Sequence, residues 1–159
     1  MNNSRLLKEW KQLIKSGNKY NITPITDEDL THWQCILQGP NKSLYQGFNF
    51  TLKILIPIDY PMSPPQVKFI PNTMPHPNVD WNTGVLCLDV LKNMWSPIFN
   101  LQYIVECVIR LLNEPNGDSP LNLELGTLLR LGDHSGYNGL IKYYLHHHQS
   151  HHGDANIII

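Results

Sequence analysis

The sequence predicts an α+β fold: an amphipathic helix, a four-stranded antiparallel meander, a long ordered loop and three further helices. Three observations carry this. Phe48, Phe50, Leu52, Ile54 and Ile56 alternate with Asn49, Thr51, Lys53 and Leu55, the period-two pattern of a strand with one face on a core. Leu101, Ile104, Val105, Val108, Leu111 and Leu112 recur at helical spacing and make a face broad enough for a buried central helix. The links between the early strand candidates are of hairpin length, which permits only antiparallel pairing.

Each element has its own signal. From Ser4 to about Ser16, Leu6, Leu7, Trp10, Leu13 and Ile14 share one helical face, with Asn3 or Ser4 to cap the start and Gly17 the end. Short strands are expected near Asn21–Ile25 and Trp33–Leu37, with polar Thr26-Asp27-Glu28-Asp29 as the loop between them. Gly39-Pro40-Asn41 is a turn. In Tyr60-Pro61-Met62-Ser63-Pro64-Pro65 three prolines remove backbone donors and exclude a regular helix or a central strand. A fourth strand, Gln66–Ile70, follows. Pro71 to Ser96 is long and irregular, yet it carries Trp81, Val85, Leu86, Leu88, Val90 and Leu91; it reads as an ordered loop packed on the sheet. Asn100 caps the central helix, which Glu114-Pro115-Asn116-Gly117 stops. Asp118-Ser119-Pro120 offers a cap and a proline for a short helix to about Leu129. Asp133 or Ser135 opens a last helix with Tyr137, Leu140, Ile141, Tyr144 and Leu145 at helical spacing.

The 159 residues divide as one domain over 1–148 and a His-rich tail over 149–159. Five of the eight histidines fall in His146-His147-His148 and His151-His152; with little apolar content around them they read as a solvated continuation of the last helix rather than a metal site. A net charge of −1 gives no reason to expect a nucleic-acid surface. No apolar run approaches the ~20 residues of a membrane span, so no direct membrane insertion is expected. The start of the chain has no apolar signal core. Three cysteines, Cys35, Cys87 and Cys107, are odd in number and form no CxxC pair, which points to a reducing, cytoplasmic setting without disulfides or a cysteine zinc site.

The chemistry concentrates in His76-Pro77-Asn78, then Thr83-Gly84-Val85-Leu86-Cys87-Leu88-Asp89, then Trp95-Ser96-Pro97. Cys87 can be a small apolar core residue. It can also be a nucleophile, with Asn78 donating to the oxyanion formed at an attacked carbonyl. The whole series resembles the active-site signature of ubiquitin-conjugating enzymes. Arg5-Leu6-Leu7-Lys8-Glu9, Trp33, Gly39-Pro40, Tyr45, Gly47-Phe48, the Tyr60–Pro65 loop and Glu114–Leu121 are similar to other parts of that family, so the likeness spans about Ser4 to Leu145.

That resemblance implies the ubiquitin-conjugating (UBC) fold and a two-step acyl transfer. Cys87 would accept ubiquitin as a thioester from an activating enzyme, and a substrate nucleophile would then attack it beside a RING-type ligase. No cofactor and no metal is implied. With nothing basic beside Cys87 in sequence, its reactivity is expected from exposure and positioning. Asn78 serves either the oxyanion or the loop's own hydrogen bonds. His76 braces the loop. Asp118 and Ser119 orient the incoming nucleophile or cap a helix. Arg5, Met62, Ser96, Pro97 and Ile98 are the ligase-contact candidates, or simply pack locally. Cys35 and Cys107 are expected in the core.

Two features set the chain apart within that family. Asn78 and Cys87 are nine positions apart, one more than usual, with Trp81 in the added stretch, and the C-terminal helices have their own character. Both resemble the peroxisomal branch, the ubiquitin-conjugating peroxin of yeasts. The likeness implies a peripheral place on the cytosolic face of the peroxisomal membrane, recruitment by a membrane-anchored peroxin, and the cargo-import receptor as substrate. Another ubiquitin-like modifier, another pathway or a non-catalytic variant of the fold are the alternatives.

Overall fold

The computed structural model describes residues 3–149. Its elements are α1 (Asn3–Lys15), β1 (Ile22–Thr26), β2 (Asp29–Gln38), β3 (Asn49–Leu55), β4 (Gln66–Phe69), α2 (Leu101–Asn113), α3 (Leu123–Arg130) and α4 (His134–Gln149), with a single 3-10 turn over Asp89–Leu91. The strands pair in chain order as an antiparallel meander. Alternation decides which face is buried: Trp33, Cys35 and Leu37 on β2, Phe50, Leu52 and Ile54 on β3, and Val67 and Phe69 on β4 all point inward. They share one core with Leu6 and Leu13 of α1, Leu101, Ile104, Val105 and Val108 of α2, and Ile141 and Leu145 of α4.

Several boundaries differ from the sequence reading. The loop between β1 and β2 is only Asp27-Glu28, because Thr26 and Asp29 pair with each other. Strand β2 begins four residues before Trp33, since backbone pairing needs no apolar side chain; His32 sits opposite Leu55. Asn21 lies outside β1 with φ +52°, and the strand starts at Ile22, whose N–H and C=O are both held by the Asn18 side chain. Helix α3 does not open at Pro120. The N–H groups of Leu121 and Asn122 both donate to the Pro77 carbonyl (2.9 and 3.0 Å), so the helix starts only where the Asn122 side chain accepts from Leu125 N–H. Pro120 instead packs across α3 at Gly126, where an added Cβ would lie 2.3 Å from the proline ring. Asn100 and Asp133 accept from the N–H groups of Tyr103 and Gly136, as helix-capping residues do. His147 stacks on Tyr143, and His146 packs edge-on to Phe48. The expected tail beyond Gln149, with His151, His152 and Ile157–Ile159, lies outside the described residues.

Glu9 is a buried carboxylate that joins three parts of the chain. Its Oε1 accepts from Arg5 Nε of the same helix (2.6 Å) and from the Tyr60 hydroxyl (2.7 Å), and its Oε2 accepts from Leu101 N–H at the start of α2 (2.9 Å). Arg5 also donates to the Phe99 carbonyl (2.7 Å). Burial and the adjacent carboxylate push the Tyr60 phenol well up. A buried charge is tolerated when every lone pair is matched, and removing it strands its donors. Glu9→Ala is therefore expected to cost about 3 kcal/mol in urea unfolding. Arg5→Ala should cost less, because the guanidinium is partly solvated. Equal losses for the two variants would contradict this account.

Candidate active site

The segment carrying Cys87 is a tight hairpin hung on the edge of the sheet. Val79 pairs with Leu86, and Val85 pairs with Lys68 at the β4 edge. Asp80 N–H donates to Val85 C=O, Gly84 N–H to Asp80 C=O and Cys87 N–H to Asn78 C=O (2.8, 2.8 and 2.9 Å). The Asp80 carboxylate closes the turn by accepting from Thr83 N–H and Oγ1. Gly84 is required twice over: its φ is +75°, and a Cβ there would sit 2.0 Å from the Phe69 carbonyl oxygen. The added stretch is packed rather than loose. The Trp81 ring lies 4.7 Å from that of Tyr144 on α4, and the Trp81 carbonyl accepts from Asn72 N–H.

His76, Pro77 and Asn78 fasten this hairpin to the far wall. His76 is fully buried, its Nδ1 accepts from Asn78 N–H (3.0 Å), and its Nε2 donates to the Leu111 carbonyl (3.0 Å). An amide N–H can only donate, so Nδ1 carries no proton and the ring is neutral. Burial pushes its pKa down to about 4. Asn78 is also buried and clamps Asn116 in both directions: Nδ2 donates to Asn116 C=O (2.7 Å), and Oδ1 accepts from Asn116 N–H (2.8 Å). One Nδ2 hydrogen is thus committed to the wall of the groove.

Between these walls lies an open groove of about 360 Å³, lined by Cys87, Asn78, Leu88, Asn116 and Ser119 among others. Cys87 is half-buried, with its backbone amide anchored and its thiol on the groove. Ser119 reaches the groove, while exposed Asp118 is not among its lining residues; Asp118 N–H donates to Asn116 Oδ1 (2.8 Å). Neither is the α3 cap, a role taken by Asn122.

Two residues at the site escaped the sequence reading. Cys107 is not in the core; it is half-buried on α2 and lines the same groove. Cys35 is fully buried as expected, its thiol donates to the Tyr20 carbonyl, and burial pushes it up to about 12. The second residue is Lys92, whose Nζ lies 3.3 Å from Cys87 Sγ. Nothing basic neighbours Cys87 along the chain, yet the 3-10 turn Asp89–Leu91 folds the lysine back onto the sulfur. The only sequence hint is Asp89, a residue type that readily starts such a turn.

The remaining candidates form a separate surface. Trp95 Nε1 donates to the Pro61 carbonyl (2.9 Å), which ties the Tyr60–Pro65 loop to Ser96-Pro97-Ile98. Met62 and Ile98 stand 70% and 80% exposed on these loops. Arg5 lies beneath, held by Glu9 and Phe99.

The neutral His76 makes stability pH-dependent with a definite sign. Unfolded, the ring takes a proton below its ordinary pKa of 6.5; folded, it resists down to about 4. The stabilisation is complete above 6.5 and is lost as pH falls between those values, by roughly 3 kcal/mol in all. Urea unfolding of the wild type and His76→Gln should therefore converge as pH drops through this window, after subtraction of the carboxylates they share. Parallel curves would remove His76 as the cause.

A model of the family described as "Ubiquitin-conjugating enzyme" matches residues 5–144. The chain is 39% identical to "Ubiquitin-conjugating enzyme E2-21 kDa" of Saccharomyces cerevisiae, over 89% of this chain and 85% of that one. It is 40% identical to "Protein PEROXIN-4" of Arabidopsis thaliana, over 89% and 90%. Its fold is similar to that of the H. polymorpha ubiquitin-conjugating enzyme Pex4p, solved in complex with the soluble domain of Pex22p; the TM-score is 0.85 at 31% identity, covering 90% and 95% of the two chains. With a family model matched over most of its length and relatives at 39–40% identity, the chain belongs to the ubiquitin-conjugating enzyme family.

Proposed function

We propose that Cys87 is the residue that carries ubiquitin. The observation that supports this is the thiol's place: on an open groove, with its own amide tied to Asn78 C=O. Placement of this kind converts an encounter into a near-attack geometry. The thiolate attacks the activating enzyme's thioester at the carbonyl carbon of ubiquitin; the new C–S bond forms as the old one breaks, and the donor leaves as thiolate. A substrate amine or thiol then attacks the Cys87 thioester, loses its proton, and releases Cys87. Asn78 acts by holding the Asn116 wall against the hairpin, with Oδ1 and one Nδ2 hydrogen engaged there. Ser119 at the groove and Asp118 beside it meet the incoming nucleophile. Met62, Ser96, Pro97 and Ile98 receive the RING-type ligase on the exposed apolar loops, with Arg5 bracing them from below.

The substrate is the cargo-import receptor of peroxisomes, and the protein works peripherally on their cytosolic face, held by a membrane-anchored peroxin. Supporting this are the relatives named pex4 and PEROXIN-4 and the relative solved with the soluble domain of Pex22p. Among the described residues no helix is long and apolar enough to cross a membrane.

A charging assay tests the first step. Ubiquitin, activating enzyme and ATP should shift the protein by one ubiquitin on a non-reducing gel. Thiol should remove that shift in the wild type but not in Cys87→Ser, where an oxygen ester forms instead. A thiol-sensitive shift that survives in Cys87→Ser would move the site elsewhere. Asn78→Ala should lower stability by about 1–3 kcal/mol, by unpairing the Asn116 backbone, and slow discharge to a lysine acceptor more than charging. Binding of a Pex22-type soluble domain, measured by calorimetry, tests the recruitment.

A further inference from the structure

The outward face of the sheet carries a feature that the acyl-transfer cycle does not use. Side chains alternate along a strand and stand beside their partners on the next one. The pairing register therefore sets Gln34, Lys53, Lys68 and Val85 in one row across β2, β3, β4 and the Cys87 hairpin. His32, Leu55 and Gln66 make the row beside it. Lys53 and Lys68 are thus direct cross-strand neighbours, and like charges so placed cost stability. No carboxylate offsets the cost. Among the described residues the only ion pairs are Arg5–Glu9 and His32–Asp29, while Lys53 donates to Gln34 Oε1 (3.1 Å).

Both lysines line a cleft of about 550 Å³ where β3 and β4 meet the hairpin, and His32 and Lys92 line it too. Its lining also holds Ile25, Leu55 and Val85, each left about half-exposed. It contains no Asp or Glu and shares no lining residue with the Cys87 groove. Exposed apolar side chains bordered by uncompensated cations suit one chemistry, carboxylates set among apolar groups. Shape selects the source. A bilayer surface is flat and cannot follow a concave cleft, whereas an extended chain can lie along it. We infer that this cleft docks an acidic, apolar segment of a partner protein. The segment's carboxylates meet Lys53 and Lys68, and its apolar side chains cover Leu55 and Val85.

Random peptides displayed on phage are selected on the full chain, and the enriched sequences are synthesised. Asp and Glu interspersed with Leu, Ile or Phe should be enriched. Titrating such a peptide into isotope-labelled protein should shift the amide resonances of Lys53, Leu55, Lys68 and Val85. Affinity should fall about tenfold or more in Lys68→Glu, and should fall in the wild type as salt rises from about 0.05 to about 0.5 M. Lys68→Glu places opposite charges on facing strands, so its urea midpoint should hold or rise while binding is lost. A lysine with only a structural role cannot give that split. Lys68→Gln repeats the test with a smaller loss should the reversal disturb folding, and Leu55→Asn tests the apolar half. Peptides enriched without acids, shifts confined to another surface, or affinity unchanged in the Lys68 variants each overturn the inference. So does binding to phosphatidylserine vesicles with no peptide enriched, or self-association through this face in sedimentation equilibrium. None of these readouts depends on charging at Cys87.

Discussion

Three consecutive residues, His76, Pro77 and Asn78, hold the groove together. Each reaches a different point on the last turn of the central helix or the segment after it: Leu111 by a ring nitrogen, Leu121 and Asn122 by a carbonyl, and Asn116 by an amide that both gives and takes. The hairpin with Cys87 continues from the same residues, so its backbone inherits the position that they set. A groove whose walls are joined by buried hydrogen bonds cannot open gradually, because each lost bond leaves a polar group without water. The neutral imidazole belongs to the same logic. It is a fixed acceptor and donor, and burial keeps it so at ordinary pH.

A second buried polar centre organises the opposite end. Glu9 gathers Arg5, Tyr60 and the first N–H of α2, and through them fixes the two loops that expose Met62 and Ile98. The Trp95–Pro61 hydrogen bond ties these two loops to each other. The two centres divide the labour. One shapes the groove around the thiol, and the other fixes the loops on which Met62 and Ile98 stand exposed. The added stretch around Trp81 joins the groove hairpin to α4 through the Trp81–Tyr144 contact, so the longer loop and the distinctive C-terminal helix are one packing solution.

Much was legible along the chain because it depends on local rules. The strand alternation from Phe50 to Ile56 and the helical face from Leu101 to Leu112 need no partner to be seen. The caps at Asn100 and Asp133 are likewise short-range. The start of α3 was misread because Pro120 is a valid opening residue in isolation. What overrules it is a carbonyl more than forty positions away, which takes the N–H groups of Leu121 and Asn122.

The sequence by itself determined the fold class, the meander, the nucleophile candidate and the family resemblance, since hydrophobic period and motif spacing are properties of order along the chain. Tertiary structure alone decided how the site's atoms meet. Only folding shows that the Asn78 amide pairs in both directions with Asn116, that Cys107 faces the groove rather than the core, and that Lys92 lies on the Cys87 sulfur. Hydrogen bonds and charge contacts are set by distances of a few ångströms in three dimensions, and residue spacing does not encode those distances until turns and packing fix the path of the backbone.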